Sequence, residues 1–255
     1  MRVATWNING IRSALRKGFP EHLGRICPDV LLLQEVRARP DQIPAAWSQP
    51  EGWSALWHPA DRPGYAGTGI WARSGLKDEA RGAGQADGEG RVIVSRVAGV
   101  RFVSVYLPSG SSGPHRQAEK DRWLGFFLDW AAGLARSRVP TILGGDFNIA
   151  HTELDLFYAK ANQKNSGFLP HERAWFGDLL VQGWADLIRE KHGPVQGPYS
   201  WWSNRGQARV LDRGWRIDYL LANRAAARLV TDCHIDRDSG LLASDHAMVV
   251  ADLDV

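Results

Sequence analysis

Seven short apolar runs punctuate this chain, and none exceeds the length of a strand. They are "VATWNI" (3–8), "VLLLQ" (30–34), "VIVSRV" (92–97), "VRFVSVYL" (100–107), "TILGGDF" (141–147), "RIDYLLA" (216–222) and "AMVVADLDV" (247–255). Short runs rich in Val, Ile and Leu, bounded by turn residues, read as strands. "VAGV" (97–100) reads as a tight turn joining two of them, hence an antiparallel hairpin. Helical patterns lie between. In 116–136, Trp123, Phe126, Phe127, Trp130 and Leu134 recur at helical spacing, which predicts an aromatic stripe facing the core. The segment 170–183 opens on Pro170 and stops at Gly183, and 20–26 predicts a third helix.

Alternating helices and strands with hairpins mixed in exclude a purely parallel sheet. The expected class is α/β, a four-layer sandwich of two packed, mostly antiparallel or mixed β-sheets with helices outside. No repeat, low-complexity stretch or linker divides the sequence, so 1–255 reads as one domain. The Gly-rich "RGAGQADGEGR" (81–91) reads as a loop.

Composition narrows the setting. Of the 255 residues, 44% are hydrophobic, enough for a sizeable core, and 23% are charged, which argues against disorder. The net charge is only +3, with a pI near 9.0. The 25 Arg against 6 Lys fit either coding bias or phosphate binding. Cys27 and Cys233 make no CxxC pair and no disulfide framework, which predicts a reducing, cytoplasmic setting. "MRVATWNING" lacks the pattern of a signal peptide, and no apolar run approaches ~18 residues, so no membrane span is expected.

The functional signal lies at the strand ends. The first run closes on Asn7, the second on Glu35, and "FVSVYLPSG" near Tyr106. "TILGGDFN" ends in Asp146 and Asn148, which share a side because they are two residues apart in extended chain. "GWRIDYLL" leads with Asp218, and "SDHAMVV" with Asp245 and His246. Any one of these alone is an ordinary turn former or solvated charge. In a mixed sheet, however, C-terminal strand ends share a rim with the N-terminal ends of antiparallel neighbours, so all are predicted to meet there.

The residue types limit the chemistry. There is no HExxH or Cys/His cluster for zinc, no Walker loop and no GxSxG. Carboxylates and amides are hard oxygen donors, which suit Mg²⁺. A metal, an Asp-assisted His, amide donors and a tyrosine hydroxyl together make a site for phosphodiester cleavage, where charge gathers on non-bridging oxygens.

With those residues in view, the sequence resembles the exonuclease III family of abasic-site endonucleases, within the endonuclease/exonuclease/phosphatase superfamily. The matching motifs run in order from "WNINGIR" (6–12) through "LLQE" (32–35), "GYAGTGI" (64–70), "EGRVIV" (89–94), "VYLPSG" (105–110), "GGDFNIAH" (144–151), "NQKNSGF" (162–168), "YSWW" (199–202) and "GWRIDYLL" (214–221) to "SDHAMVV" (244–250). The resemblance implies the same four-layer fold. It implies Glu35 as the principal metal ligand, with Asn7 and Asp245 close to a Mg²⁺ site that also accepts Mn²⁺. Asp146 is implied to orient or deprotonate the attacking water, and Asn148 and Tyr106 to donate to the scissile phosphate. His246, polarised by Asp218, is implied either as partner of a phosphate oxygen or as the base. Trp201, Trp215 and Ile217 fall where the family builds a pocket for a sugar without its base. Arg12, Arg37, Ser109, Asn162, Lys164, Asn165, Arg205 and Arg209 are implied contacts to duplex DNA. The implied activities are cleavage 5′ to an abasic site, leaving a 3′-hydroxyl, and trimming of 3′ ends, by a monomer. Three departures stand out: Ser109 replaces a longer amide, Arg37 replaces Lys, and "FYAKAN" (157–162) lacks the usual Asn-Pro.

Overall fold

The computed structural model describes residues 1–240 and 242–255. In chain order, its strands are β1 (Arg2–Asn7), β2 (Val30–Gln34), β3 (Ser54–His58), β4 (Thr68–Ala72), β5 (Lys77–Arg81), β6 (Val92–Val97), β7 (Val100–Tyr106), β8 (Thr141–Asp146), β9 (Trp184–Asp186), β10 (Asp218–Asn223), β11 (Val230–Asp236) and β12 (Met248–Leu253). The helices are α1 (Ile11–Leu15), α2 (Phe19–Ile26), α3 (Ala45–Ser48), α4 (Pro114–Ala135), α5 (Ala159–Asn162), α6 (Pro170–Val181), α7 (Leu187–His192) and α8 (Arg224–Ala227).

The strands form two six-stranded sheets, ordered β11-β12-β1-β2-β4-β3 and β5-β6-β7-β8-β10-β9. Both sheets are mixed. The parallel pairs are β1–β2 and β7–β8, and the other pairings are antiparallel. The expected hairpin is present, with Val97 opposite Val100.

Alternate side chains of each central strand enter different cores. Val3, Val30, Leu32, Ile93, Phe102, Ile142 and Leu220 fill the space between the sheets. Ala4, Trp6, Leu31, Leu33 and Val250 face outward onto Phe19, Leu23 and Ile26 of α2. On the other sheet Val103, Val105, Leu143 and Leu221 face Leu124 and Phe127 of α4 and Phe176 and Leu179 of α6. This is why "VLLL" (30–33) is apolar at every position rather than alternating: its strand is covered on both faces. A fully buried side chain of this size contributes about 1.5–3 kcal/mol.

The predicted stripe on α4 is corrected. Leu124, Phe127, Ala131 and Ala135 are its buried face, while Trp123, Phe126, Trp130 and Leu134 are only partly buried around it. Phe127 is common to the predicted stripe and the buried face, and the other four stripe residues pack against the same core from its margin.

Two features position what lies at the rim. Gln34 at the end of β2 donates to Ser104 Oγ of the other sheet at 2.9 Å, and Ser104 donates back to Leu33 O at 2.9 Å, a polar staple across the sandwich. In β8, a Cβ on Gly144 would stand 2.7 Å from both Leu220 and Leu32, and one on Gly145 would stand 1.8 Å from Val105 O. The "GGD" motif is therefore a close approach of backbones just before Asp146.

Candidate active site

Each sheet brings three strand ends to one rim. β1 and β2 run parallel and deliver Asn7 and Glu35, while antiparallel β12 starts just after Asp245 and His246. β7 and β8 run parallel and deliver Tyr106 opposite Asp146, while antiparallel β10 starts at Asp218, also opposite Asp146. The two rims face each other.

They meet over a cleft of about 640 Å³ lined by Glu35, Tyr106, Asp146, Asn148, Asp245 and His246. Asn7 lies buried beneath it. Its side-chain amide donates to Glu35 Oε1 and to Asp146 Oδ2, both at 2.9 Å, so it bridges the carboxylates of the two sheets. Its oxygen accepts from the Asn9 N–H at 3.0 Å. Asn9 in turn donates to Asp245 Oδ1 at 2.7 Å, and Trp201 Nε1 donates to Asp245 Oδ2 at 3.2 Å.

His246 is fixed on several sides. Trp6 Nε1 donates to its carbonyl at 2.8 Å, and its own N–H donates to Ser244 Oγ at 3.1 Å. Its Nδ1 lies 2.9 Å from Asp218, which Ser200 Oγ holds at 2.7 Å. Glu35, Arg37, Asn9 and Asn148 adopt left-handed backbone, with φ of 49°, 52°, 46° and 52°. For Glu35 and Arg37 this costs about 1–2 kcal/mol each. Clustering of such residues is expected where side-chain direction matters more than local stability.

Burial raises the Asp146 pKa to about 7, reinforced by Asp218 and Glu35 and opposed by His246. Burial alone would lower His246, but Asp218, by charge and hydrogen bond, then Asp146 and Asp245, raise it to about 10. Burial, then Glu35 and Asp146, push Tyr106 well above its ordinary value, so the phenol stays an O–H donor.

Glu35, Asp146 and His246 each offer a donor atom, all within 4.8 Å of one another. Among the described residues no other such cluster of three His, Cys, Asp or Glu side chains occurs. Two carboxylates crowded this closely repel each other, and a divalent cation between them would relieve that repulsion. The Glu35 and Asp146 carboxylates, as hard oxygen donors, fit such an ion, while His246, held protonated by Asp218, offers it no lone pair. Arg37 meanwhile pairs with Glu35 Oε2.

Residues 4–246 match the model of the Endonuclease/Exonuclease/phosphatase family. The chain belongs to that family. It is 34% identical over 252 residues to an exodeoxyribonuclease of Bacillus subtilis, covering 98% of each chain. It is also 34% identical to a DNA-(apurinic or apyrimidinic site) endonuclease of Dictyostelium discoideum, covering 99% of this chain and 71% of that one. A 3′ phosphatase from Neisseria, solved bound to a product DNA hairpin, superposes with a TM-score of 0.91 at 31% identity, covering 100% of both chains.

The other residues that sequence motifs of the Endonuclease/Exonuclease/phosphatase family single out divide into two groups. Arg37, Ser109, Asn162, Asn165, Trp201, Arg205, Trp215 and Ile217 line the same cleft. Trp201 and Trp215 stand edge-to-face at 6.2 Å, and Ile217 packs with Leu156 and Phe168 behind them, which makes an apolar corner beside His246. Arg12 instead borders an adjoining groove with Arg16 and Arg37, and Arg209 borders another with Lys17 and Asn204. Lys164 is exposed and does not line the cleft. Both amide hydrogens of Asn148 are engaged, with Leu107 O at 2.9 Å and Asp146 Oδ2 at 3.2 Å, so reaching a ligand means releasing one, the longer bond first.

Several supporting residues escape sequence reasoning. Asn9 carries a usable signal, since it stands two residues after Asn7 in "WNING". Trp6 and Ser200 look like plain core and turn. Lys120 of α4 looks like a solvated charge, yet it is fully buried against Glu172 of α6 at 2.6 Å and donates to Asn148 O at 2.9 Å. Glu172 also accepts from Gly167 N at 2.7 Å and Leu169 N at 3.0 Å. This buried pair ties the exit of β8 to the 162–168 segment at the cleft wall. Burial lowers the Lys120 pKa, against the pull of Glu172.

Proposed function

We propose that this chain is a divalent-metal-dependent DNA repair nuclease. It hydrolyses the phosphodiester 5′ to an abasic site in duplex DNA, leaving a 3′-hydroxyl. The same site trims 3′ ends as a 3′→5′ exonuclease and a 3′-phosphodiesterase or phosphatase. The observation that carries this reading is the convergence of Glu35, Asp146 and His246 within 4.8 Å, beside an apolar corner of two tryptophans.

Glu35 would hold Mg²⁺, or Mn²⁺ in its place, with Asp245 and Asn7 nearby. When bound, that ion supplies charge neutralisation at the scissile phosphate. Asp146 orients and deprotonates the water that attacks in line with the leaving 3′ oxygen. Burial and the neighbouring carboxylates raise its pKa, and a bound cation would draw it back down. Tyr106 and Asn148 donate to non-bridging oxygens. His246, kept protonated by Asp218, faces a phosphate oxygen as a cation, which favours that role over the base. Trp201, Trp215 and Ile217 receive the extruded sugar. Arg12, Arg37, Ser109, Asn162, Lys164, Asn165, Arg205 and Arg209 hold the DNA backbone. Two unpaired cysteines, Cys27 and Cys233, suit a reducing, cytoplasmic setting, and the chain is taken to act as a monomer. No helix among the described residues is long and apolar enough to cross a membrane.

The test is turnover in parallel on an abasic duplex, a recessed 3′ end, a 3′-phosphate and a phosphoinositide. The reading expects activity on the three DNA substrates. Turnover confined to the phosphoinositide would overturn it.

A further inference from the structure

The start of "FYAKAN" (157–162), ahead of Asn162, has no part in the chemistry of the cleft. Its first two residues, Phe157 and Tyr158, are 45% and 50% exposed. The two rings stand edge-to-face, centroids 4.8 Å apart at 84°. The Arg213 guanidinium lies 5.7 Å and 5.8 Å from their centroids. Together with Leu154, Leu156 and Lys160 the rings border a depression of about 450 Å³.

The depression is bordered by Ala159, Lys160 and Ala161 of α5. Tyr158 immediately precedes α5, and Asn162 at its far end lines the cleft. Asn162 Nδ2 donates to Tyr158 O at 2.8 Å, and the Phe157 N–H donates to Gly214 O at 3.1 Å, next to Trp215 of the apolar corner. Four residues of helix rise about 6 Å. That is on the order of one to two nucleotide steps of a strand, whose stacked rise is ~3.4 Å.

We propose that Phe157 and Tyr158, with Arg213 stacked beside them, form a platform for one unpaired nucleobase of the strand whose phosphate occupies the catalytic cleft. The proposal rests on the reading of the cleft as a DNA site. Adjacent half-exposed aromatics bracketed by cations are the usual means of holding single-stranded nucleic acid, because every base presents a flat π face. A base stacked in a duplex has both faces covered, so the occupant is a frayed or overhanging nucleotide. The platform therefore acts on 3′-end trimming and leaves fully paired substrates unaffected.

The experiment uses a partial duplex with a non-hydrolysable linkage at the 3′ end and 2-aminopurine at an unpaired position two nucleotides away. The wild type is expected to quench the fluorophore. The Phe157→Leu/Tyr158→Leu variant keeps apolar bulk without a π face. It should lose the quenching and bind the overhang about 10-fold more weakly, with unchanged Kd for a fully paired duplex. Restoring a ring in that background, as Tyr158→Trp, should recover binding. Equal quenching and equal Kd for wild type and the double-leucine variant would overturn the platform while leaving the nuclease reading intact. Failure of the wild type to bind either DNA would take down both.

Discussion

The imidazole Nδ1–H of His246 donates to both carboxylate oxygens of Asp218, at 3.1 and 2.9 Å, with each residue almost fully buried. The contact joins the two sheets, because His246 precedes β12 and Asp218 opens β10. It fixes the ring tautomer, leaves Nε2 as the remaining ring nitrogen, and favours the charged ring.

Asp218→Asn removes the charge and can turn its NH₂ toward Nδ1, reversing the tautomer. The expected outcome on an abasic duplex is a kcat lower by about 10²–10⁴ with KM changed only a few-fold, and a lowered melting temperature, because the buried His246 loses its counter-charge. Steady-state nicking and thermal denaturation measure both. A near-normal kcat would leave the pair a purely architectural role.

Lys120→Met strands Glu172 in the interior without its counter-charge. Removing one partner of such a pair costs about 3–5 kcal/mol. Adding Glu172→Gln should recover much of that loss in urea denaturation. Activity should stay low in the double variant, because the Asn148 carbonyl is no longer held. Equal stability of single and double variants would contradict the pairing energetics.

Acid stability follows from Asp155, which is fully buried with Arg216 and also paired to Arg189. Burial alone would raise its pKa, but the two guanidinium groups lower it below its ordinary 3.8. A carboxyl depressed in the folded state binds its proton more readily when unfolded. Its stabilisation is therefore complete above the unfolded pKa and is lost as pH falls through the folded one. Stability below pH ~4 should fall more steeply in wild type than in Asp155→Asn, read from urea titrations at stepped pH. Parallel profiles would remove Asp155 from the account.

Salt should weaken duplex binding, because phosphate contacts release counterions. Arg12→Ala and Arg205→Ala are each expected to reduce the slope of log K against log salt by about one, with little effect on kcat. A binding constant that does not respond to salt would point away from a phosphate backbone.

The rim was legible in the sequence because its strands are central. β2, β7 and β8 are covered on both faces, so they stand out as apolar runs, and their polar exits stand out by contrast. Edge strands gave no such signal. β5, "KDEAR", is exposed at every position, β9 has three residues, and β11 alternates weakly along a sheet edge. β4 is buried, but "TGIWA" is short, follows Gly67 and contains Gly69. The Lys120–Glu172 pair was invisible because nothing in a helix sequence distinguishes a lysine that points inward. The α4 stripe misled for a related reason: periodicity gives the apolar side of a helix but not which of its residues are fully buried.

The central claim is that Glu35, Asp146 and His246 act together on one phosphodiester with one divalent ion. The most direct measurement is nicking of an abasic duplex by wild type and Glu35→Gln, first in excess chelator and then across a Mg²⁺ titration. Wild type is expected to cleave nothing until Mg²⁺ is restored. Glu35→Gln is expected to need about 10-fold more Mg²⁺ or higher and to turn over more slowly at saturation. Undiminished nicking by wild type in chelator would contradict the claim.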